Sequence, residues 1–180
     1  MKSIFFALAL WTALVVPTVS TAQRRDDPLT QPEIDQLRDT AVEPELRMKL
    51  FVQFARARLV SLEQMRSDPK TTDRAHQTHD MLADFVAVYN ELNDNLDNFV
   101  ERRSDLRKAL KWVIEGDTEF QAKLRALKDD SRTTPKEAEE YQFALSDAIE
   151  SVDSGAEDHR KLLADEQEAW KHAKKKGKGT

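Results

Sequence analysis

The 180-residue chain contains no cysteine. That excludes disulfides, a thiol nucleophile, cysteine-ligated zinc and covalently attached c-type haem. A lipid-modified N-terminal cysteine is excluded too. Glycine occurs only four times, and no glycine-rich phosphate loop is present. Neither Gly-x-Ser-x-Gly nor His-Glu-x-x-His is found. Aromatics make up 7% of the chain. What the chain has is charge, at 34% of its residues, a composition typical of long helices.

One apolar run stands out. Lys2 precedes Ile4 to Val16, Pro17 breaks the run, and Ser20-Thr21-Ala22 follows. A positive start, a short apolar stretch and small residues at the end are the marks of a secretory signal. The run is shorter than the roughly 20 residues a membrane span needs. Cleavage before Gln23 is therefore expected, with the mature chain in the bacterial periplasm or outside the cell. Residues 23–29 read as a loose leader, 30–173 as the helical domain and 174–180 as a lysine-rich tail.

The mature chain would carry 27 basic against 33 acidic residues. Five of the lysines sit in the last ten positions, which leaves residues 23–170 strongly acidic. An acidic body repels nucleic-acid phosphates, and no nucleic-acid motif is present. The tail, with Lys174, Lys175 and Lys176, suits electrostatic contact with an anionic surface.

The dominant pattern lies between Ala75 and Leu127. Steps of three and four residues connect Ala75, Thr78, Leu82, Phe85, Tyr89, Leu92, Leu96 and Phe99. They continue through Arg103, Leu106, Leu110, Val113, Asp117, Phe120, Leu124 and Leu127. Only a helix gathers this set on one stripe. The phase crosses Glu101 to Asp105 unbroken, with no glycine or proline there, so one helix is expected from about Lys70 to Asp129.

Capping boxes at Thr30-Gln31-Pro32-Glu33 and Thr134-Pro135-Lys136-Glu137 open further helices. Pro44 begins another, apolar around most of its circumference and so the expected core helix. Ser67-Asp68-Pro69 and Ser131 to Thr134 make the turns. The resulting expectation is an all-α, elongated antiparallel three-helix bundle around a long central helix. The alternative is a compact four-helix bundle with that helix broken near Ser104.

Few residues look out of place. Arg103 and Asp117 interrupt the stripe, and His159 and Glu166 interrupt that of the last helix. They read as a polar layer fixing register between helices. His76 and His79 could share a metal given further ligands, but the tight-binding spacings are missing. No cofactor motif is found. Trp112 falls on the outer face, where an exposed tryptophan commonly anchors a partner.

Leu29-Thr30-Gln31-Pro32-Glu33 resembles the Leu-Thr-x-x-Gln box of small periplasmic chaperones of the Spy type. Glutamate here stands where that box has glutamine, and the family's second box is absent. The resemblance implies an exported, helical chaperone or stress-response protein with an exposed apolar concave surface. The residues themselves point first to a non-enzymatic helical protein acting through contacts with another protein or itself. A metal-binding bundle is the second alternative.

Overall fold

A computed structural model describes residues 27–176, with the side chains of Lys175 and Lys176 outside the description. The expected signal segment and the last four residues therefore lie outside the described part. Five helices follow in order: α1 (Gln31–Arg38), α2 (Pro44–Ser67), α3 (Arg74–Glu101), α4 (Ala109–Lys128) and α5 (Pro135–Lys176). Among the described residues there is no strand. The chain is an all-α packed helix bundle.

The long stripe is correct as a core and wrong as a rod. Of its positions, only Arg103 is exposed and only Leu127 is half-buried; the others are buried. The helix nevertheless ends at Glu101, and Arg102 to Lys108 form a connection before α4. α3 closes with a Schellman motif. Ser104 N–H donates to the Phe99 carbonyl at 3.1 Å, and Arg103 N–H to that of Val100 at 2.9 Å. Arg103 supplies the left-handed residue this motif requires, at φ 56. Asp105 then accepts the Arg107 N–H, turning the backbone toward α4.

The expected elongated three-helix form is thus replaced by the four-helix alternative. The reason the phase concealed the break is numerical. The connection is seven residues long, one heptad, so the apolar spacing resumes in step.

The ion pairs and ring contacts give the directions of the helices. α2 and α3 are antiparallel, with Arg47 bonded to Asn95 at one end and Arg66 to Thr78 at the other. α4 runs parallel to α2, pairing Glu119 with Arg56 and Lys123 with Glu63. α5 is antiparallel to α4 and packs on α3. α3 and α4 therefore face each other across the diagonal, where Phe85 meets Phe120 edge-on at 5.4 Å. α5 stays helical through Asp153-Ser154-Gly155.

Arginine clamps fasten α1 and the start of α5 to the bundle. In α1, Glu33 accepts the Thr30 N–H at 2.7 Å, as the capping box requires. The same carboxylate takes a two-pronged bond from Arg58 at 2.6 and 2.8 Å. Arg58 also donates to the Pro28 carbonyl, and Leu29 packs against the core. The expected loose leader is held to α2 over these last residues.

At the start of α5, Thr134 caps the Glu137 N–H. The Glu137 side chain, expected to close that box, is instead taken by Arg74 at 2.8 and 2.7 Å and by Arg66 at 3.0 Å. Charge-assisted bonds are roughly twice as strong as neutral ones, which decides its direction.

The carboxylates held by arginine set an acid limit to stability. Burial raises the Glu33 carboxyl, but bonds from Arg58 and Thr30 outweigh it and hold the group below its ordinary 4.5. Bonds from Arg74 hold Glu137 below the same value. Carboxyls lowered by folding contribute stability above their ordinary value and lose it as pH falls through the folded one. Thermal melts are therefore expected to be flat down to about pH 5 and to fall steeply below about 4, and less steeply in Arg58→Met. Separately, Arg103→Gly should stabilise the chain by about 1 kcal/mol in chemical denaturation, since glycine adopts positive φ freely, whereas Arg103→Val should destabilise it.

Candidate functional site

A buried polar set sits in the middle of the bundle. Asp117 on α4 has no solvent exposure, and His159 on α5 has 4%. The Asp117 carboxylate accepts the Tyr89 hydroxyl of α3 at 2.8 Å and faces His159 Nδ1 at 2.9 Å. A carboxylate partner places the proton on Nδ1. Burial, then the Asp117 charge and hydrogen bond, push the Tyr89 phenol far above its ordinary range. Tyr89 accordingly stays a donor. Its ring also meets those of Phe85, Phe120 and His159.

The set is possible because Gly155 lies beneath it. A methyl at Gly155 would overlap the Tyr89 hydroxyl and crowd its ring. This glycine is needed for space, and its backbone is ordinary helix.

The structure brings together two of the four residues expected in the polar layer. Asp117 and His159 form it, with Tyr89 as the unforeseen third member. Arg103 is excluded because it caps α3 and points outward. Glu166 lies beyond His159, the last buried residue of α5 among those described. Tyr89 was hidden among the apolar stripe residues. Its signal was a hydroxyl on a fully buried face, which needs an acceptor.

Arg66 is a second residue that the sequence concealed. Its guanidinium is 7% exposed as a residue and donates to Thr78, Glu137 and Thr133 at 3.0, 3.0 and 2.7 Å. It also lies over the Tyr141 ring at 5.4 Å. These bonds join the end of α2 to the starts of α3 and α5. A hollow of about 270 Å³ beside it is walled by Leu59, Leu62, Leu124 and Leu127.

His76 and His79 stack at 6.5 Å and are both exposed. Asp80 faces them both, at 3.5 and 3.1 Å. Among the described residues, no group of three histidine or acidic side chains is arranged to hold a metal ion.

Trp112 lies at the edge of exposure, 36%, with Lys49 of α2 at 4.4 Å from its ring centre. Trp170 on α5 is 45% exposed, between Arg107 at 4.5 Å and Lys174 at 4.9 Å. Trp112 stands on the first turn of α4 beside α2, and Trp170 lies across from it on α5, since α4 packs between α2 and α5. Lys108, Lys111 and Lys171 line the hollow beside Trp170. Lys174 is exposed. Val42 and Phe143, both highly exposed, lie at opposite ends of the bundle.

A groove of about 420 Å³ opens between α3 and α5, in front of the buried set. His159 is the residue common to both. Comparison with known proteins finds no family model, curated protein or solved structure that matches this chain.

Gly155→Ala is expected to cost about 2–4 kcal/mol in chemical denaturation, the range of overpacked and hydrogen-bond-breaking substitutions. Tyr89→Phe should recover part of that loss in the double variant, because the overlapping hydroxyl is gone. A strictly additive pair would contradict the packing described.

Proposed function

We propose that the chain is an exported, non-enzymatic helical module that acts through protein contacts. Export rests on Lys2, the apolar run from Ile4 to Val16 and the small residues before Gln23, all outside the described part. The contact surface is the bundle end where α3 passes into α4. The observation carrying this reading is the placement of Trp112 and Trp170, both outside the core at that end with cations against their rings.

Tryptophan and arginine are the side chains most often found at the energetic centres of interfaces. Each ring here is already oriented by a cation, a contact of about 0.5–1 kcal/mol at an exposed site. Lys108, Lys111 and Lys171 line the hollow beside Trp170, and Lys49 lies over Trp112, so an acidic partner surface complements this end. The expected lysine tail begins at the same end, beyond Trp170.

The chaperone reading drawn from the Spy-type box gains no support from the side chains. Thr30 and Glu33 are occupied in capping α1 and clamping it to Arg58. Among the described residues Val42, Leu46, Val100, Trp112 and Trp170 are exposed toward the end where α3 passes into α4, interleaved there with lysines, whereas client capture needs a continuous apolar patch of several hundred Å², by the usual scale of such surfaces. The metal reading would rest on His76 and His79, whose shared neighbour is a single carboxylate.

The test is site-specific photo-cross-linking in the native cell envelope, with the reactive side chain at position 112, 170 or, as control, 84. A discrete adduct at 112 and 170, absent at 84 and reduced by added salt, is expected. Equal labelling at all three positions, or none at 112 and 170, would overturn the proposal.

A further inference from the structure

The end of the bundle away from Trp112 and Trp170 carries an exposed ring and an apolar hollow. Phe143 on α5 is 79% exposed, more than either tryptophan of the bundle. It stands two turns past Pro135, roughly 12 Å into the helix at 1.5 Å per residue. The hollow of about 270 Å³ beside Arg66 opens at the same end, between the last turns of α2 and α4. Leu59, Leu62 and Leu124 in its wall are buried, and Leu127 is half-buried. Small-molecule sites span roughly 300–1,000 Å³, so this volume suits an apolar side chain better than a drug-sized ligand.

Phe143 does not enter the hollow of its own chain. It is no part of that wall, and α5 packs on α3 and α4 with no contact to α2. The ring would have to cross α4 to reach a seam that α2 forms on its far side.

Charge makes the two surfaces complementary. Glu139, Glu140 and Asp147 lie one turn to either side of Phe143 on its helix face, and all three are exposed. Glu137 and Asp153 of the same helix are taken by arginines. The three around Phe143 join no ion pair among the described residues. Around the hollow the balance is reversed, with Arg66, Lys123 and Arg132 against Glu63 and Asp130. An acidic collar around an apolar ring thus matches a cationic excess around an apolar hollow. One chain carries both halves, so the partner that fits is a second copy.

We infer that this end is a self-association surface, on which Phe143 of each copy enters the leucine-walled hollow of the other. Ring and hollow lie at one end, so the exchange is reciprocal about a two-fold axis and closes at a dimer. It is independent of the contact proposed at the tryptophan end, which the dimer leaves uncovered.

The test is sedimentation equilibrium on the protein purified as the cell processes it, over a range of concentrations and salt. The wild type is compared with Phe143→Ser, with Ala126→Trp, whose ring would lie across the hollow, and with an equimolar mixture of the two. A wild-type dimer weakened by salt is expected. Each variant alone loses both insertions, raising the dissociation constant about a hundredfold, or about tenfold per ring. The mixture keeps one insertion, Phe143 of the Ala126→Trp copy in the open hollow of the other, and should be only about tenfold weaker than the wild type. Both positions are exposed, so the circular dichroism of each variant should match the wild type. A monomeric wild type, growth beyond a dimer, undiminished association of Phe143→Ser, or a mixture no tighter than its components would overturn the inference.

Discussion

A carboxylate with no exposure to solvent must find its hydrogen bonds inside the protein. Asp117 is such a group, and it stands among phenylalanines and leucines in the centre of the bundle. Its donors arrive from two other helices, Tyr89 on α3 and His159 on α5. No neighbour on its own helix replaces them. Removing one partner of a buried charged pair costs about 3–5 kcal/mol, whereas the complete set adds little stability beyond an apolar core. The constraint therefore acts on alignment. Sliding α4 by a turn relative to α3 or α5 would leave the carboxylate unpaired.

That alignment organises the rest. Tyr89 can meet Asp117 only if α4 returns alongside α3, which the Schellman motif at Arg103 makes possible. His159 can meet it only if α5 approaches closely, which Gly155 allows by leaving room for the Tyr89 hydroxyl. α1 and the start of α5 are then fastened by charge, through Glu33 with Arg58 and Glu137 with Arg74 and Arg66. Trp112 on α4 and Trp170 on α5 come to the same end of the bundle because α5 runs antiparallel against α4.

Much of this was legible in the sequence. Leu82, Phe85, Leu92, Leu110 and Phe120 announced a helical core by spacing alone, and all are buried. Pro44 and Pro135 marked helix starts correctly. The reversal was not legible, because a connection of one heptad preserves phase and its left-handed residue is arginine in place of glycine. The one hint was Arg103 itself, a charge on an apolar seam. Asp117 and His159 were recognisable as misplaced polar residues. Tyr89 was not, since a tyrosine satisfies an apolar pattern until its hydroxyl needs a partner. Arg66 escaped because its partners lie in three other segments of the chain.

The central claim is that one buried carboxylate joins α3, α4 and α5. Proton–nitrogen NMR of the His159 imidazole tests it most directly. The account predicts a slowly exchanging Nδ1 proton, shifted strongly downfield, with through-space contacts to the Tyr89 ring. An imidazole that exchanges freely with water, as His76 and His79 should, and shows no contact to Tyr89 would contradict it.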